Sequence, residues 1–89
     1  MMAECEVQVM NANGIHARPA AAIVKTAGKF HANITIARDD LEVNAKSIMG
    51  VMMLAAEYGS TVRLRADGAD ADGAIAALSV LIASNFGER

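Results

Sequence analysis

Aromatic side chains are almost missing from this sequence of 89 residues: there is no tryptophan, one tyrosine and two phenylalanines. Apolar residues nonetheless make up 54% of it, so the core must be aliphatic, built from Ala, Val, Ile, Leu and Met. Without aromatic platforms for base stacking, and with a formal net charge of −2, the chain carries no footprint for nucleic acid. Its single cysteine, Cys5, cannot form an internal disulfide. Two histidines and one cysteine supply no ligand set at zinc spacing, so no metal is expected. No apolar run approaches the ~20 residues that span a bilayer. The start, Met1-Met2-Ala3-Glu4-Cys5-Glu6, has no basic segment followed by an apolar one, as a signal peptide would. A cytoplasmic protein without stable membrane association is the expectation.

What is present is a small aliphatic chain with six methionines, soft fillers that suit cores and adaptable binding surfaces. Its length predicts one domain over residues 1–89. A domain of this size buries somewhat over ~60% of its unfolded surface, enough for one core with little left for an enclosed active-site cavity.

The apolar pattern changes period along the chain. Cys5, Val7 and Val9 alternate with Glu4, Glu6 and Gln8, as in a half-buried strand. Asn11-Ala12-Asn13-Gly14 is a turn cluster. Ala20, Ile23, Val24 and Ala27 then fall on one face of a helix that ends near Gly28. Ile34 and Ile36, the reversal Asp39-Asp40, and Leu41, Val43 and Ala45 form a predicted hairpin. Ser47 opens a short helix over 48–54, broken by Tyr58-Gly59-Ser60. Thr61–Asp67 alternates again, and Ala71, Ile75, Leu78 and Ile82 make one stripe of a last helix ending before Gly87. The order is β-α-β-β-α-β-α. Because every strand alternates, one sheet face is wet and the other covered, which predicts an antiparallel four-stranded sheet with three helices on one side, an α+β fold.

Chemistry concentrates at Gly14-Ile15-His16-Ala17-Arg18-Pro19-Ala20-Ala21. His16 stands at or just before the start of the first helix. The first N–H groups of a helix have no intrahelical partner, and Pro19 is tolerated among them because it has no N–H to leave orphaned. The remaining amides, Ala17 and Arg18 among them, form an anion site at the positive end of the helix dipole. The Arg18 guanidinium can fork onto phosphate oxygens. A histidine so placed can accept a phosphoryl group and release it again, because its phosphoramidate is labile.

This string resembles the active-site segment of the HPr family, the histidine-containing phosphocarriers of the bacterial phosphoenolpyruvate:sugar phosphotransferase system. A second string, Ala45-Lys46-Ser47-Ile48-Met49-Gly50-Val51-Met52-Met53-Leu54-Ala55, resembles that family's regulatory serine segment. The resemblance spans essentially the whole chain, and the element order matches the family's open-faced β-sandwich. It implies a carrier and not an enzyme, with no bound cofactor. His16 would be phosphorylated on Nδ1 by phospho-Enzyme I, itself charged by phosphoenolpyruvate, with Arg18 assisting, and would deliver the group to enzyme IIA domains. Ser47 would be the target of an ATP-dependent HPr kinase/phosphorylase. The protein would act as a monomer.

The helix at 48–54 is apolar nearly all round. Val51 and Leu54 share one stripe, Ile48 and Met52 another, so one stripe feeds the core and the other faces outward. The resemblance favours Ile48, Met49 and Met52 as docking contacts. Lys25, seven residues after Arg18 on the same helix face, either meets acidic partner residues or is simply solvated. Cys5 reads as a buried structural thiol. Asp70 and Asp72 would complement the dipole of the last helix. Gly50 costs roughly 1 kcal/mol against Ala in a helix, which close packing on the first helix would explain.

Two features leave the pathway open. Position 21 is Ala where some relatives carry Thr, and the tail Asn85-Phe86-Gly87-Glu88-Arg89 resembles carriers of incomplete phosphotransferase systems and the nitrogen-related paralogue. A nitrogen-related or purely regulatory phosphocarrier without a role in sugar transport is the alternative. A small ligand-binding module would leave the His-Ala-Arg-Pro string unexplained.

Overall fold

The structure, a computed structural model, describes residues 1–87. Glu88 and Arg89, the end of the tail singled out above, lie outside the described residues. Four strands and three helices follow in the expected order: β1 (Met2–Gln8), α1 (Ala17–Ala27), β2 (Asn33–Arg38), β3 (Leu41–Asn44), α2 (Ile48–Met53), β4 (Thr61–Asp67) and α3 (Ala71–Ala83), then a 3-10 turn over Asn85–Gly87.

The sheet is antiparallel with strand order β1-β4-β2-β3. Register sets the faces. Cys5 pairs with Leu64, which pairs with Ile36 on its other side, and Ile36 with Val43, so the apolar set of all four strands faces one way. The opposite face carries Glu4, Glu6, Arg63, Arg65 and Glu42, with Arg65 bridging Glu4 at 3.2 Å and Glu42 at 3.8 Å. These exposed pairs add little stability, but they keep that face wet.

The covered face is closed by the helices. Alanine-rich α1 has high helical propensity and buries Pro19, Ala20, Ile23 and Ala27. Ile23 is fully enclosed, a burial worth about 1.5–3 kcal/mol. Helix α3 contributes Ala71, Ala74, Ile75, Leu78 and Ile82 to the same core. Asp70 and Asp72 stand at the N-cap and in the first turn of α3, as expected; the Asp70 side chain makes no cap hydrogen bond, and its carboxylate accepts N–H bonds from His31 (2.8 Å) and Ala32 (2.9 Å), tying the α1–β2 loop to the start of α3. One expectation needs correcting. Cys5 is only half-buried, because β1 is an edge strand, and that partial burial pushes its thiol pKa up. Among the described residues, no helix is long and apolar enough to cross a membrane.

Candidate functional site

The loop before α1 is built as a sequence of locks. Asn11 and Gly14 close a turn twice: the Gly14 N–H donates to the Asn11 carbonyl (3.0 Å), and the Asn11 amide donates to the Gly14 carbonyl (2.7 Å). Gly14 sits at φ +65, and a Cβ there would come within 2.4 Å of the Ala56 carbonyl oxygen and 2.7 Å of Glu57 Cα. Only glycine combines that backbone with that proximity. The next residue, Ile15, is buried and donates its N–H to the Ala56 carbonyl at 2.7 Å. The loop is therefore seated on the segment that follows α2.

His16 emerges from this seat. It is the N-cap of α1, in extended backbone conformation, and its side chain is exposed. The first intrahelical bond runs from the Ala20 N–H to the His16 carbonyl at 2.9 Å. The N–H groups of Ala17 and Arg18 lie ahead of that bond and have no helical partner, while Pro19, third in the helix, removes one more orphan donor. Ala17 and Arg18 are both exposed. The structure thus brings His16, Ala17 and Arg18 together on one solvent-facing helix end. Lys25 lies exposed in the last turn of α1, about 10 Å along the axis from Arg18, where its charge suits the negative end of the dipole.

Ser47 is the N-cap of α2, and its hydroxyl accepts the Gly50 N–H at 3.1 Å. A Cβ on Gly50 would meet Ser47 Oγ at 3.3 Å and the Asn44 carbonyl at 3.4 Å, so this glycine accommodates the cap and not α1. Helix α2 sends Val51 fully into the core, joined by Leu54 just beyond it. Its remaining apolar side chains stay outside: Ile48 is 46% exposed, Met49 76%, Met52 45% and Met53 65%. That separates the two stripes, and Met53 joins the outward set although the spacing argument did not single it out. The C-terminal end of α2 leads directly into the segment under the His16 loop.

Comparison with known proteins identifies the family. The family described as "PTS HPr component phosphorylation site" matches residues 3–84. The chain belongs to the HPr family. The phosphocarrier protein HPr of Xylella fastidiosa (strain Temecula1) is 49% identical over 87 residues, covering 98% of each chain. A crystal structure of HPr from Thermoanaerobacter tengcongensis superposes with a TM-score of 0.94 at 48% identity, covering 98% of both chains. A second structure from that organism, described as an HPr dimer, gives a TM-score of 0.78 at 50% identity over 92% of this chain and 94% of that one. HPr proteins are phosphocarriers of the phosphotransferase system and not catalytic enzymes, and the β-α-β-β-α-β-α order is theirs. Within this HPr fold, sequence reasoning missed the segment under the His16 loop. Ala55 adopts φ +49, and Arg38 from β2 donates to the carbonyls of Leu54 (3.3 Å) and Ala55 (2.7 Å). No local pattern could reveal this contact, since its partners lie 16 and 17 positions apart.

Proposed function

We propose that His16 is the phosphoryl acceptor. It takes the group from phospho-Enzyme I, charged by phosphoenolpyruvate, and hands it to an enzyme IIA domain in sugar uptake and its regulation. The bond from phosphorus to the donor breaks as a P–N bond forms at Nδ1, the ring atom used in the family; the P–N bond breaks in turn on delivery. The observation that carries this reading is the placement of an exposed histidine at an N-cap whose following amides, Ala17 and Arg18, precede the first intrahelical bond. Those amides and the Arg18 guanidinium are the groups that hold the phosphoryl oxygens. The candidate site is an exposed helix end, which suits a carrier whose partners supply the rest of the site.

Ile48, Met49 and Met52 form the docking surface for Enzyme I and enzyme IIA, with Lys25 meeting acidic partner residues at its margin. Supporting this is the exposure of a contiguous apolar set on a helix whose other side is buried. Ser47 is the site of an HPr kinase/phosphorylase. A phosphate there, carrying about −1.5 to −2 charges, would sit beside Ile48 and Met49 and obstruct docking electrostatically and sterically without refolding the chain. The protein works as one domain over 1–89, as a monomer in the cytoplasm.

The test is a relay. The chain is incubated with phosphoenolpyruvate and Enzyme I, then with an enzyme IIA domain, and followed by intact mass. A phosphoryl adduct that forms and is then discharged supports the carrier reading; its absence on the wild type, or its persistence in His16→Ala, overturns it. A parallel incubation with ATP and HPr kinase should give an acid-stable adduct that Ser47→Ala abolishes.

A further inference from the structure

We propose that Arg38 is a positioning residue for phosphoryl transfer, acting on the His16 loop through the segment 54–57. This inference rests on His16 being the acceptor. The geometry forms a chain of contacts. The Arg38 guanidinium, mostly withdrawn from solvent, donates through Nη1 to the carbonyls of Ala55 (2.7 Å) and Leu54 (3.3 Å). Its Nη2 lies 3.7 Å from Glu57 Oε1, and its Nε 4.0 Å from Asp39 Oδ2, so its charge is balanced within the fold and not aimed at a ligand. The segment it grips passes through a left-handed residue, Ala55 at φ +49, a conformation that an L side chain resists and glycine takes freely. The following carbonyl, Ala56, is the acceptor for the Ile15 N–H at 2.7 Å, one residue before His16. Gly14 packs directly over Ala56 and Glu57.

The segment is thus held from two sides. Arg38 stabilises a backbone that Ala55 alone would leave, and that backbone presents the carbonyl on which the His16 loop is seated. Removing the guanidinium releases Ala55 toward ordinary φ, turns the Ala56 carbonyl away, and loosens the loop that aims His16 and the Ala17 and Arg18 amides. The docking side chains Ile48 and Met49 stand at the opposite end of α2, beside the Ser47 cap, and stay in place; Met52, whose carbonyl accepts the Ala55 N–H at 3.1 Å, is the docking residue nearest the released segment. Arg38 therefore governs the rate of transfer more than the affinity for partners.

The experiment compares wild type, Arg38→Ala, Arg38→Ala/Ala55→Gly and, as a control on the opposite sheet face, Arg65→Ala. Two quantities are read: hydrogen exchange at the Ile15 amide, and the transfer rate from phospho-Enzyme I as a function of its concentration. In Arg38→Ala the Ile15 amide should exchange about tenfold faster through local opening. The maximal rate should fall by about tenfold, as expected for a misplaced acceptor, with the half-saturating concentration little changed. Adding Ala55→Gly should restore both, because glycine holds the left-handed backbone unaided; loss of a merely structural ion pair would not be rescued this way. Wild-type exchange at Ile15 in Arg38→Ala, or failure of the glycine to restore it, overturns the proposal. If Arg38→Ala does not fold, Arg38→Lys, which keeps one donor, is judged by the same two readouts. Should wild type accept no phosphoryl group at all, the acceptor reading fails, while Ile15 exchange still decides the structural coupling.

Discussion

Replacing Gly14 by Ala should be among the most damaging single-methyl changes available to this chain, and the magnitude follows from two separate terms. The backbone at φ +65 is left-handed, which costs an L residue about 1–2 kcal/mol. The added methyl would also stand 2.4 Å from the Ala56 carbonyl oxygen and 2.7 Å from Glu57 Cα, both backbone atoms with no rotamer to yield. Such overpacking costs about 1–3 kcal/mol, so the sum is roughly 2–5 kcal/mol. That is a large part of the ~5–15 kcal/mol by which small domains are stable. Gly59 is the control: it too is left-handed, at φ +88, but nothing lies within 4 Å of its would-be Cβ. Gly59→Ala should therefore cost only the conformational term, about 1–2 kcal/mol. Urea unfolding of both variants, with unchanged slope, measures the difference. Equal losses in the two would refute the claim that the His16 loop is locked by its contact with Ala56.

Other consequences can be checked alongside. Ser47→Ala removes the acceptor for the Gly50 N–H and should destabilise the fold by about 1 kcal/mol in chemical denaturation, independent of any phosphorylation. Asp70 titrates below its ordinary value, chiefly because the His31 N–H bonds its carboxylate. With a depressed folded-state pKa, its contribution is present above the unfolded pKa of about 4 and is lost as pH falls through the folded value. Asp70→Asn should thus be less stable than wild type at neutral pH and less sensitive to acid, read as melting temperature against pH; parallel acid profiles would contradict the assignment. Met49→Glu should leave the melting temperature almost unchanged, since the side chain is 76% exposed, while weakening productive binding to phospho-Enzyme I in a titration of transfer rates.

The elements of the fold were legible because their signals are local. Period-two alternation at Thr61–Asp67 and the i, i+3, i+4 spacing of Ala20, Ile23 and Val24 belong to single segments, and both appear where expected. The candidate site was legible for the same reason: His16, Ala17 and Arg18 are adjacent in sequence, and the helix start that gathers them is a local event. What escaped is long-range. Asp70 stands at the start of α3 as its position predicts, but nothing local shows that its carboxylate also satisfies backbone amides at His31 and Ala32, nearly forty residues earlier. Gly50 looks like a concession to helix packing, but its neighbours are Ser47 and Asn44. The placement of β1 beside β4, and the grip of Arg38 on Leu54 and Ala55, depend on how distant segments meet, and neither leaves a trace in residue periodicity.

The role of His16 is open to one decisive observation. The chain is phosphorylated with phosphoenolpyruvate and Enzyme I, kept at neutral or alkaline pH, and the modified residue is located by fragmentation mass spectrometry. A single acid-labile phosphoryl group on His16, and none on His31, is the predicted result. A stable phosphoryl group on any other residue, with His16 unmodified, would contradict it.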